Sequence, residues 1–79
     1  MRIVDEIVHP ACKITILSWN QKYLVKLERG PIEQTFKVPE FEVTGDEDIK
    51  ALIDEEFMTE AIQRFYDMEA SLMRALGEL

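Results

Sequence analysis

Between Lys13 and Val38 apolar and polar residues alternate with a period of two, the mark of half-buried strands. Placing a two-residue turn at Asn20 and Gln21 sets Trp19 opposite Lys22, Leu17 opposite Leu24, Ile16 opposite Val25 and Lys13 opposite Glu28. Asn tolerates the positive φ such a turn needs. A second turn at Arg29 and Gly30 sets Leu27 opposite Ile32, Lys26 opposite Glu33 and Tyr23 opposite Phe36. Both pairings bring Ile14, Ile16, Tyr23, Val25, Leu27, Ile32, Phe36 and Val38 to one face, interrupted by Ser18 and Gln34. That face is the expected core. The opposite-charge pairs Lys13 with Glu28 and Lys26 with Glu33 support this register by ~0.2 to 1 kcal/mol each, and Lys22 opposite Lys37 opposes it.

The pattern changes after Pro39. Thr44 followed by Glu47 reads as a capping box, and Asp46, Glu47 and Asp48 suit the positive end of a helix dipole. From Ile49 to Leu79 the residues favour helix, yet one straight rod does not fit. With Ile49 at zero and 100° per residue, Leu52 and Ile53 fall near 300° and 40°, whereas Met58, Ala61, Ile62, Phe65, Met68, Leu72, Leu76 and Leu79 fall between about 100° and 220°. A break is therefore expected between Asp54 and Phe57, with Asp54 capping the second helix and Gly77 ending it.

Residues 2–8 are ambiguous, because Ile3, Val4, Ile7 and Val8 have helical spacing and β-branched side chains that favour a strand. A strand is the preferred reading. The expected fold is α+β, one small domain over residues 1–79. It consists of an antiparallel three- or four-stranded β-meander, then a short helix, then a long C-terminal helix packed on one sheet face.

Composition narrows function mainly by exclusion. Nine Lys plus Arg stand against 16 Asp plus Glu, a formal charge of −7 that disfavours nucleic acid as a partner. The imbalance is uneven, with −1 over residues 1–10, +3 over 11–39 and −9 over 40–79. No apolar run approaches the roughly 20 residues of a membrane span. A single Cys makes no internal disulfide, so a reducing cytoplasm is the expected setting.

His9 and Cys12 are the one imidazole and the one thiol, too few for a zinc site without further ligands, and nearness on one short segment does not by itself align them as a nucleophilic pair. The acidic first helical turn lacks the spacing of a calcium loop. Gly30, Gly45 and Gly77 are too far apart to cradle a phosphate. No catalytic residue, cofactor or metal ligand is assigned, and a non-enzymatic protein is expected.

Two apolar surfaces remain. On the outer sheet face Leu17, Trp19 and Leu24 sit among Lys13, Lys22, Lys26 and Lys37, either as an association surface or covered by the N-terminal segment or the first helix. On the long helix Ile62, Tyr66 and Met73 widen the apolar stripe beyond one core-facing row. A chain this short buries only about 60 to 65 % of its unfolded surface, so association would add stability. A homodimer is the expected partner, with Leu17, Trp19, Leu24, Ile62, Tyr66 and Met73 as its interface. The alternative is an acidic, antitoxin-like inhibitor of a basic protein, based on the nine carboxylates from Glu40 to Glu60.

Overall fold

The computed structural model describes residues 1–77. Four strands, β1 (Arg2–Val8), β2 (Lys13–Trp19), β3 (Lys22–Arg29) and β4 (Ile32–Pro39), form one antiparallel sheet in the order β1-β2-β3-β4. A 3₁₀ turn (Glu40–Glu42), α1 (Asp46–Ala51) and α2 (Glu55–Leu76) follow. This is the α+β meander with a short and a long helix, in its four-stranded form.

The first hairpin has the expected register, from Trp19 opposite Lys22 to Lys13 opposite Glu28. Asn20 and Gln21 hold φ of 52° and 64°, so both central positions are left-handed as a type I′ turn requires. The second hairpin departs from expectation. Its turn is Gly30-Pro31, closing on Arg29 opposite Ile32 and placing Leu27 opposite Gln34, Lys26 opposite Thr35 and Tyr23 opposite Val38.

Pro31 is the physical reason for that shift. A turn at Arg29 and Gly30 would make Glu28 and Pro31 the closing hydrogen-bonded pair, and proline has no N–H to give it. With Gly30 at φ 58° and Pro31 after it, the turn has positive φ at its first position only, the type II′ pattern. Because the strand moves by two positions, every side chain keeps its face. The charge pairs do not survive unchanged. Glu28 now faces Glu33, Lys37 faces Leu24, and the Lys26 to Glu33 ion pair persists as a diagonal at 3.7 Å.

Residues 2–8 form a strand, with one irregularity. The register with β2 shifts between Ile3 and Asp5, so Val4 is an extra residue in a β-bulge. The bulge reverses facing beyond it: Ile3 lies opposite Leu17 on the outer face, and Arg2 opposite Ser18 on the inner.

The core is the inner face plus both helices. Cys12, Ile14, Ile16, Tyr23, Val25, Leu27 and Ile32 of the sheet and its first turn pack with Ile49 of α1 and with Met58, Ala61 and Phe65 of α2. Phe36 and Val38 are half-buried around it. Gln34, the one buried polar residue among the described residues, is 8 % exposed and is bonded to α2 at both ends of its amide. Its Nε2 donates to the Ala61 carbonyl at 2.9 Å, and its Oε1 accepts from Arg64 Nε at 2.8 Å.

Helix α1 starts one residue later than the expected capping box. Gly45 is its N-cap at φ 146°, a conformation that disfavours Thr, and no side chain caps the turn. The Thr44 amide donates instead to Asp48 Oδ2 at 3.0 Å, while Glu47 turns to Lys50 at 3.2 Å. The break between helices spans Leu52 to Asp54, earlier than the expected interval and meeting it only at Asp54, because Asp54 caps α2 and Glu55 to Phe57 form its first turn. Asp54 is extended and accepts from the Phe57 amide at 2.8 Å, and Gly77 closes α2 in the left-handed region at φ 76°.

Candidate protein interface

Both helices pack on the inner face, so among the described residues the outer sheet face has no second layer. The register builds an apolar row across it. Ile3 lies opposite Leu17, Leu17 opposite Leu24, and Leu24 opposite Lys37. Ile3 is 60 % exposed, whereas Leu17 and Leu24 are half-buried by their neighbours. Trp19, 47 % exposed, lies against the Lys22 ammonium at 5.1 Å from its ring centroid. Of the expected interface residues on this face, the structure brings Leu17 and Leu24 together and sets Trp19 beside them at the strand end. Sequence alternation misses Ile3, because without the bulge it would point inward.

The second surface arises from the course of α2. Phe57 packs on Phe36 with ring centroids 5.2 Å apart, Ala61 and Arg64 meet Gln34, and the Arg29 guanidinium lies 5.1 Å from the Tyr66 ring. The helix thus runs antiparallel to β4 and reaches the Gly30-Pro31 turn by Tyr66. A 22-residue helix spans about 33 Å and an eight-residue strand about 26 Å, so the remaining turns of α2 project past the sheet. Phe65 is the last fully buried residue of the stripe, and Leu76 is 62 % exposed.

Of the expected helix residues, Ile62 and Met73 are half-buried and Tyr66 is exposed. Tyr66 and Met73 line one shallow groove of about 290 Å³ with Arg29, Glu69 and Ala70. Ile62 does not join them there. A larger open cleft of about 600 Å³ lies at the other end of the sheet, between Lys22, Lys37, Glu40 and the exposed Phe41. Its lining carries no imidazole, thiol or hydroxyl.

The acidic segment is partly occupied within the fold. Asp46 accepts from Arg2 Nη1 and Nη2 at 2.9 and 3.1 Å and from the Tyr23 hydroxyl at 2.8 Å. These contacts, Arg2 first and Tyr23 second, hold its carboxyl at about 2. The same contact raises Arg2, and Tyr23 is raised by Asp46 and then by burial. Lys50 is raised by Glu47 and, more weakly, by Asp5, whose carboxylate lies at 3.9 Å.

His9 and Cys12 flank the turn between β1 and β2 and exchange both backbone hydrogen bonds, at 3.0 and 3.2 Å. His9 Nδ1 accepts from the Ala11 amide at 3.0 Å, so the imidazole closes the turn. Cys12 is buried, and burial pushes its thiol up while the Arg29 charge opposes the shift. No group of three or more metal-ligating side chains lies among the described residues, and no described helix is long and apolar enough to cross a membrane. No protein-family model, curated protein or solved structure matches the chain.

Proposed function

We propose that this chain is a small non-enzymatic interaction module that self-associates in a reducing, cytoplasmic setting. The observation that carries this reading is the apolar row Ile3, Leu17 and Leu24, with Trp19 at its end, on a sheet face that neither helix covers. A two-layer domain ordinarily gives such a face polar residues, and clustered apolar side chains rimmed by lysines mark contact surfaces. The projecting half of α2 adds a second apolar strip around Tyr66 and Met73.

Capture of a basic protein is the weaker reading. Asp46, Glu47, Asp48 and Asp54 are engaged by Arg2 and Tyr23, Lys50, the Thr44 amide and the Phe57 amide. Internal roles therefore account for four of the nine carboxylates in the acidic block.

Sedimentation equilibrium from 10 µM to 500 µM (about the range in which weak dimers form) tests the proposal. A species heavier than the 9.2 kDa subunit is expected, and Leu17→Ser with Trp19→Ser should lighten it while leaving circular dichroism unchanged. A 9.2 kDa species throughout the range refutes self-association.

A further inference from the structure

The sheet has two edges, and they are built differently. On β1 the bulge at Val4 breaks the ladder, and the outward amide of Glu6, midway along the strand, is already taken by Asp5 Oδ1 at 2.8 Å. Bulges and charges of this kind are how natural sheets close an edge to further strands.

Strand β4 carries charges of both signs but has no bulge, and no side chain among the described residues occupies its outward amides. Its register with β3 is unbroken over eight residues. Antiparallel pairs alternate between hydrogen-bonded and open, and the two-residue turn closes on Arg29 and Ile32 as a bonded pair. The Glu40 amide donating to the Gln21 carbonyl at 3.0 Å, at the far end of the same ladder, fixes that phase. Glu33, Thr35 and Lys37 therefore direct their backbone N–H and C=O groups away from β3, and no described segment pairs with them.

The residues along this edge are self-complementary. An antiparallel copy centred on Thr35 sets Glu33 opposite the partner copy's Lys37, and Lys37 opposite the partner copy's Glu33. On the inner side Ile32 meets the partner copy's Val38. Pro31 and Pro39, which cannot donate, are equidistant from Thr35 and fall just outside the paired segment. Moving the centre by one residue in either direction sets Lys37 or Glu33 opposite a proline and loses the charge pairs.

We propose that β4 is a strand-addition edge at which a second copy of this chain pairs about a two-fold axis at Thr35, making a continuous eight-stranded sheet. This contact is separate from the outer-face contact above. Pairing by the edge leaves the apolar rows of both copies on the same side of the joined sheet, where a second pair of copies is able to stack. The two contacts are broken by different substitutions.

The test compares assembly mass and amide hydrogen exchange in the full-length protein and its edge variants. Thr35→Pro removes an outward N–H that β3 does not use, and it should halve the assembly mass with the strands intact. Lys37→Glu and Glu33→Lys each place like charges opposite one another and should each halve the mass. Mixing these two variants, or combining both changes in one chain, restores opposite charges and should restore the mass. Amides of Glu33, Thr35 and Lys37 should be protected in the wild type and exchange at least tenfold faster in Lys37→Glu. Should Thr35→Pro misfold, the charge variants and their mixture decide alone. Edge pairing is overturned by Lys37→Glu retaining wild-type mass, or by fast exchange of the three amides in the assembled protein. A mass sensitive to Leu17→Ser with Trp19→Ser and indifferent to every edge variant refutes the edge and leaves outer-face association standing.

Discussion

Gln34 offers a direct probe of how α2 is seated. Its amide lies in the core layer with both polar atoms satisfied by the helix, and the two partners differ in what they lose if it is removed. Ala61 is inside α2, so its carbonyl keeps its helical bond to the amide four residues on. Arg64 is exposed, and its guanidinium regains water. Gln34→Leu therefore orphans no buried group. It removes one net amide bond of about 1 kcal/mol and gains apolar burial of similar size, so its stability should stay within about 1 kcal/mol of wild type. Gln34→Glu keeps the shape but sets a carboxylate oxygen against the Ala61 carbonyl, and should cost about 2 kcal/mol at pH 7. The Arg64 guanidinium, exposed and screened by water, favours the carboxylate through its other oxygen, but the burial and the facing carbonyl outweigh it and raise that carboxyl above its unfolded value of ~4.3, so the stability it contributes is present below that value and lost as pH rises through the folded one. The deficit relative to wild type should shrink between pH 7 and pH 4. Urea unfolding followed by circular dichroism resolves these differences against a total of about 4 to 12 kcal/mol for a chain of this length. A loss above about 3 kcal/mol for Gln34→Leu, or none for Gln34→Glu at pH 7, would refute this account of the helix–sheet contact.

Asp46 sets an acid limit. Because Arg2 and then Tyr23 hold its carboxyl at about 2, the stability it contributes is present above the ordinary value of ~3.9 and lost as pH falls through about 2. Asp46→Asn should flatten that limb, and an NMR midpoint near 4 for this carboxyl would show the contact unformed. At the first hairpin, Gln21 holds φ 64°, a region that costs a side chain about 1 kcal/mol, so Gln21→Gly should stabilise the fold by roughly 0.5 to 1 kcal/mol and raise Tm. No increase in Tm would place the strain elsewhere.

What the sequence made legible follows from which forces are local. Alternation located three strands and sorted their faces, because a single-residue slip moves every apolar side chain of a strand into water. Alternation is blind to a shift of two, which is why the β3 to β4 pairing was displaced while the core membership of Ile32 and Gln34 stayed right. The missing N–H of Pro31 was the readable signal for the turn. Asp54 and Gly77 were legible because caps act within one helical turn. The bulge at Val4 was not, since nothing in residues 2–8 distinguishes an extra residue from a paired one, and the outward turn of Ile3 went with it. The helical stripe was clear along α2, but where the sheet ends beneath it depends on tertiary placement, so Phe65 and Leu76 look alike in sequence and differ entirely in exposure. The balanced run from Glu33 to Lys37 was visible throughout, yet its self-complementarity becomes meaningful only once β4 is known to be an edge.

That single inserted residue in β1 has effects in three directions. By reversing the facing of the strand it turns Arg2 inward, where the guanidinium meets Asp46 at the start of α1 and ties the chain's first strand to its first helix. By the same reversal it turns Ile3 outward, extending the apolar row that Leu17 and Leu24 begin. Its kink also interrupts the β1 ladder, and with Asp5 occupying the Glu6 amide it leaves β4 as the regular edge of the sheet. A regular β1 would bring Ile3 back to the inner face, deprive Asp46 of Arg2, and present a second free edge with no rule for choosing between the two. One open edge, bounded by two prolines and carrying opposite charges at matched distances from Thr35, would restrict the proposed strand addition to a closed pair, whereas two open edges would permit an endless sheet.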